Sequence, residues 1–147
     1  MYRLLDVAWN HAIEMSHDPR TKVGACVINT NGDVLGLGSN RLDDGVEVTE
    51  ERVTTKKGEW IRHAEVNALK NASTKGDAIV VTAMPCANCA QAIIDDGIKI
   101  VMIPNNSLFV DLYPHYREAA STDKWKDSWT KAREMFLANG VELVVVD

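Results

Sequence analysis

The stretch Ala78-Ile79-Val80-Val81-Thr82-Ala83-Met84-Pro85-Cys86-Ala87-Asn88-Cys89-Ala90-Gln91-Ala92-Ile93-Ile94-Asp95-Asp96-Gly97-Ile98-Lys99-Ile100-Val101-Met102-Ile103 decides the fold. Residues 78–84 are a short apolar run rich in β-branched side chains, as a buried strand requires. Pro85 stands where helix starts are favoured. Residues 86–96 then read as a helix, which Gly97 closes. Residues 98–103 return to an apolar strand. Two strands joined through one helix lie parallel as neighbours.

The same alternation runs outward in both directions. Towards the C-terminus, residues 123–138 read as a helix ended by Asn139-Gly140, and 141–146 as a further strand. Towards the N-terminus, residues 62–72 read as a helix. Before it, residues 23–29 and 33–39 flank the turn Asn31-Gly32 and read as a hairpin. Residues 2–17 carry Leu4, Leu5, Ala8, Ala12 and Met15 at helical spacing, and Asp18-Pro19 stops that helix. Residues 40–59 and 104–116 are read as loops, the first long enough to suggest function. The expectation is an α/β protein: one domain over 1–147, a three-layer α/β/α sandwich on a mixed five-stranded sheet.

The 147-residue length suits one domain with one sizeable core. Apolar residues at 46% and charged residues at 25% are globular values, which sets aside disorder, collagen and coiled coil. No apolar run reaches the length of a membrane span, and the start at Met1-Tyr2-Arg3 lacks the basic-then-apolar layout of a secretory signal. The expected compartment is the cytoplasm. The net charge of −5 and scattered Lys and Arg make tRNA or DNA an unexpected partner. Three cysteines are too few for a disulfide framework, so Cys86-x-x-Cys89 points to metal or redox chemistry.

His63-Ala64-Glu65 precedes Pro85-Cys86-Ala87-Asn88-Cys89 by twenty residues. A redox Cys-x-x-Cys needs no His-x-Glu. A catalytic zinc takes three protein ligands and keeps one position for water, and one imidazole with two thiolates meets that count. His63 falls in the first turn of one predicted helix. Cys86 and Cys89 fall in the first turn of another, on one face. Helix N-termini favour thiolate over thiol. Glu65 borders the same crevice as general acid and base, taking a proton from the attacking water and returning it to the substrate. Cys26, in an apolar strand, reads as core.

His-x-Glu with Pro-Cys-x-x-Cys is the zinc deaminase signature, and with it the chain resembles the zinc-dependent cytidine and deoxycytidylate deaminase superfamily, nearest its deoxycytidylate branch. The likeness extends over Ser16-His17-Asp18-Pro19-Arg20-Thr21-Lys22-Val23-Gly24-Ala25, Gly38-Ser39-Asn40, Gly45-Val46-Glu47, the metal motifs and residues 125–141. It implies hydrolysis of dCMP to dUMP and ammonia with catalytic Zn²⁺, and a homo-oligomer, often a hexamer. It also implies dCTP and dTTP as effectors, with Mg²⁺ accompanying them. Carried over by position, His63, Cys86 and Cys89 are zinc ligands and Glu65 the proton shuttle. Asn40 meets the sugar and neighbouring phosphate. The Ala64 N–H meets the base carbonyl. Lys22 or Arg20 faces the phosphate, and Tyr116 stacks on the base or meets the phosphate, in competition with Tyr113 and Phe109.

Two departures from the family pattern stand out. Met84 replaces the serine usual before Pro-Cys, which leaves the branch open. Arg41 follows Gly38-Ser39-Asn40 where many members have glycine, which leaves nucleotide regulation open. Activity on dCTP, cytidine, guanine or a tRNA adenosine therefore stays an alternative, as does a zinc or nucleotide-binding module without catalysis. Trp125 and Trp129 read with Ala132, Met135 and Phe136 as a core or interface stripe. Glu47, Glu50 and Glu51 read as a solvated loop face, with Mg²⁺ ligation the other reading. His11, His17 and His115 are expected at the surface.

Overall fold

The computed structural model describes residues 2–105 and 126–146. Eleven elements run in the order α1 (Tyr2–Met15), β1 (Gly24–Ile28), β2 (Val34–Ser39), α2 (Glu50–Val53), α3 (Lys57–Trp60), α4 (Ala64–Asn71), β3 (Ala78–Val81), α5 (Ala87–Asp95), β4 (Ile100–Pro104), α6 (Lys126–Ala138) and β5 (Glu142–Val146). The five strands form one sheet in the order β2-β1-β3-β4-β5. β1 runs antiparallel to both β2 and β3, while β3, β4 and β5 are parallel, so the sheet is mixed as predicted.

Strand periodicity sorts side chains onto the two faces. Ala25, Val27, Ile79 and Val81 pack with Ala64 and Ala68 of α4, Ala90 and Ile93 of α5, and Ala132 and Phe136 of α6. Cys26, Ile28, Ala78 and Val80 alternate with them and pack on Leu5 and Ala8 of α1. Helices thus cover both faces, giving the three layers read from the sequence. Two glycines set the layer spacing. A Cβ at Gly24 would overlap the Ala8 carbonyl of α1, and one at Gly38 would overlap the Ala64 carbonyl of α4. Gly38 therefore lets the start of α4 lie directly on β2. Gly32 takes a φ of 82° in the predicted hairpin turn, and Gly97 a φ of 83° after α5.

Several boundaries differ from expectation. α1 ends at Met15, the strand read over 78–84 stops at Val81, and the stretch 40–59 is not structureless. It holds α2, the start of α3, and a β-bridge between Arg41 and Arg62. Thr49 caps α2 by accepting the Arg52 N–H. The Arg52 guanidinium lies 4.2 Å over the Trp60 ring, joining α2 to α3. No periodicity marks these four-residue helices, which local caps and one stacked pair hold in place.

Candidate metal centre and active site

His63 and Cys86 are not in the first helical turns, as predicted, but one step outside them. His63 is the N-cap of α4, with φ −70° and ψ 153°, and Cys86 the N-cap of α5, with φ −74° and ψ 171°. The extended backbone turns each side chain back over its helix start. Cys86 Sγ accepts the Cys89 N–H at 3.4 Å, the part that a serine oxygen plays in other caps. The two helix starts face each other at the carboxyl ends of β2 and β3, beside the amino end of β1, where an open α/β sheet leaves its crevice.

His63 Nδ1 lies 3.1 Å from Cys89 Sγ and 3.6 Å from Cys86 Sγ. The three donor atoms all fall within 4.8 Å of one another, and among the described residues no other set of three such side chains converges. Tetrahedral zinc with bonds of about 2.0–2.3 Å holds its donors roughly 3.5–3.8 Å apart. The two His63–sulfur distances lie within about half an ångström of that spacing, and three protein donors leave a fourth position open. Hydrogen bonding from Cys89, and then from His63, pulls the Cys86 thiol down to about 4. The Cys89 thiol is pushed up, chiefly by that same bond to Cys86 and by burial. The bond to Cys86 raises His63. One thiolate is thus preformed beside an imidazole that shares its charge.

Glu65, in the first turn of α4, is buried. Burial raises its carboxyl above the ordinary range, opposed by the charge of His63. A carboxyl tuned upward is suited to accept and return protons near neutral pH. Glu65, His63, Cys86 and Ala64 line a cleft of about 190 Å³. That is room for several waters beside the metal donors, more than a closed structural metal site needs.

The predicted substrate contacts divide. Asn40 lines the cleft and is buried, but most of its amide is committed. Its Oδ1 accepts the Ser16 hydroxyl at 2.6 Å and the Val23 N–H at 3.0 Å, and its Nδ2 donates to the Thr21 carbonyl at 2.6 Å. One N–H of Nδ2 remains for a ligand. Ala64, the first residue of α4, presents a backbone N–H without an intrahelical acceptor. Lys22 turns onto the loop, donating to the carbonyls of Asp18 at 2.8 Å and Ser16 at 3.5 Å. Neither Lys22 nor the exposed Arg20 is among the described residues of the cleft wall. Tyr116, Tyr113, Phe109, His115 and Trp125 lie outside the described residues.

Other side chains in the wall were not singled out for it. Lys57, Asp18, Met84 and Trp129 line the cleft. Trp129 was read as core or interface, and of its stripe Ala132 and Phe136 are buried as expected. Ser128, beside it on α6, accepts the Ala87 N–H at 2.9 Å and so ties α6 to the start of α5. His11 and His17 are half-buried rather than at the surface. His17 Nδ1 accepts the Leu42 N–H at 3.1 Å, and burial lowers both imidazoles. Glu47, Glu50 and Glu51 are exposed, as expected, and Glu51 pairs with Lys56 at 2.8 Å. No described helix is long and apolar enough to cross a membrane.

Three metal donors with an open position, beside a buried carboxyl in a cleft, are the equipment of a metal-dependent hydrolase. The chain belongs to the cytidine and deoxycytidylate deaminase zinc-binding family, whose sequence model matches residues 2–104. It is 33% identical to the deoxycytidylate deaminase of Mus musculus over 140 residues, covering 87% of this chain and 69% of the mouse protein. It is 34% identical to that of Homo sapiens over 99 residues, spanning 60% of this chain and 56% of the human protein. The dCMP deaminase of cyanophage S-TIM5, solved in complex with dCMP and dUMP, superimposes with a TM-score of 0.72 at 24% identity. That match covers 99% of this chain and 95% of the phage protein, and it establishes the shared fold.

Proposed function

We propose that the chain hydrolyses the C4 amine of dCMP to give dUMP and ammonia. The observation that carries this reading is the convergence of His63, Cys86 and Cys89 at a cleft that the buried Glu65 also lines. Kinship with deoxycytidylate deaminases supports the choice of substrate.

Zinc, when held by His63, Cys86 and Cys89, supplies Lewis acidity that readies a water for attack near neutral pH. Glu65 accepts the proton that this water gives up as its oxygen bonds to C4. Glu65 passes that proton to ring N3, then takes the remaining hydroxyl proton and delivers it to N4, so that the C4–N4 bond breaks, ammonia leaves and the C4 carbonyl forms. Burial of Glu65 keeps its carboxyl ready for both directions of transfer. The Ala64 N–H donates to the base carbonyl and fixes the ring plane. The remaining Asn40 N–H donates to the sugar.

The test is ammonia release from a panel of dCMP, dCTP, cytidine, guanine and a tRNA anticodon loop by the zinc-loaded protein. Turnover of dCMP at the highest kcat/KM is expected. Preference for another member of the panel refutes the substrate. Regulation by dCTP and dTTP with Mg²⁺, a homo-oligomer and a cytoplasmic location extend this reading on family resemblance alone. A dCMP saturation curve that straightens with dCTP, and the mass in solution, test the first two.

A further inference from the structure

Lys57 is the only lysine or arginine among the described residues of the cleft wall, which it shares with Glu65 and His63. Its Nζ lies 3.0 Å from Asp18 Oδ2, with the Lys57 side chain 42% exposed and that of Asp18 only 4%. Asp18 Oδ1 meanwhile accepts the N–H groups of Arg20 at 2.9 Å and Thr21 at 3.0 Å. The carboxylate is therefore fixed by its own loop, and it fixes the ammonium. An ammonium has three donors, of which one is used here, so two remain for the cleft. Asp18 lines the cleft too but is almost fully buried behind its donors, so the half-exposed Lys57 ammonium is the more open of the two to an entering anion.

Of the other cations nearby, Arg20 is exposed and outside the described cleft wall, and three are committed elsewhere. Lys22 is bound to loop carbonyls, Arg62 pairs with Asp43 at 3.5 Å, and Arg52 lies over Trp60. The whole chain carries a net charge of −5. A dianionic substrate gains nothing from the overall field and depends on a local cation.

We propose that Lys57 takes the phosphate of a nucleoside monophosphate and so selects the nucleotide over the nucleoside. The inference rests on the deamination reading for the identity of the substrate. A half-exposed ammonium meeting a phosphate makes a charge-assisted contact whose loss costs about 10- to 100-fold in affinity.

The experiment is calorimetric titration of the zinc-loaded full chain with dUMP and with deoxyuridine, for wild type, Lys57→Gln and Lys57→Arg. Lys57→Gln should weaken dUMP at least tenfold relative to deoxyuridine, and Lys57→Arg should recover most of that ratio. Raising the salt should weaken dUMP on wild type more than on Lys57→Gln. Equal losses for both ligands would show a loop tether and overturn the proposal. An unchanged ratio, or a wild type that does not distinguish the two ligands, would overturn it too. Ammonia release from dCMP by the wild type is measured alongside. Its failure refutes the deamination reading, while the ligand ratio still judges Lys57.

Discussion

Glu65→Gln separates proton transfer from metal binding, because the amide keeps the size and shape of the side chain but cannot carry the proton. The magnitude follows from what else could move the proton. Asp18, the other carboxylate in the described wall, spends its oxygens on Lys57 and on the Arg20 and Thr21 N–H groups. The His63 Nδ1 faces both sulfurs. No substitute base lines the described cleft, so the loss should lie at the upper end for general acid–base catalysis, about 10³- to 10⁴-fold in kcat. That equals roughly 4–5.5 kcal/mol of barrier. The protein should still bind one zinc per chain, and dCMP affinity should change only a few-fold. Elemental analysis, equilibrium titration and ammonia release measure the three quantities. A fully zinc-loaded variant that keeps more than a tenth of the wild-type kcat would refute the reasoning. So would loss of zinc, since Glu65 would then be holding the metal site together.

Removing zinc with a chelator should abolish ammonia release, and returning zinc should restore it. With the metal gone, Cys86, lowered to about 4, should be alkylated by iodoacetamide at pH 6 well ahead of Cys26 and Cys89, and mass spectrometry reads the order. Phe136→Ala empties a fully buried position between α6 and the sheet and should cost about 3–5 kcal/mol in urea unfolding. Burial raises the Cys26 thiol from 9.0 to about 11, so the folded state holds its proton longer than the unfolded chain. Its contribution to stability is full below pH 9.0 and fades as pH rises through about 11, by roughly 2.7 kcal/mol in all. Wild type compared with Cys26→Ala between pH 8 and 11 by chemical denaturation should show the gap, and parallel curves would contradict it.

The parts of this molecule legible in its sequence are those where one residue type admits one local answer. The run 78–103 could only be strand, helix and strand, and Asn31-Gly32 could only be a tight turn. A histidine and two cysteines at these spacings left little choice but a metal. What stayed hidden depends on side chains meeting across the chain. Asp18 reads as a helix stop, yet it is a buried carboxylate that caps its own loop and holds a lysine 39 residues away. Lys57 sits in a segment with no periodicity, and the Arg41–Arg62 bridge, the Arg52–Trp60 stack and the Asp18–Lys57 pair hold that segment in place. The stripe on α6 shows correctly which face turns inward. A stripe cannot show where the sheet ends, and that is why Phe136 meets strands while Trp129, two turns earlier, meets the cleft. The metal motif and the specificity of the site therefore rest on different kinds of information. The donors lie close in sequence to the helix starts that orient them, so the chemistry can be read locally. The choice of substrate depends on loops that close over the cleft, so it has to be tested at residues such as Lys57, which no motif marks.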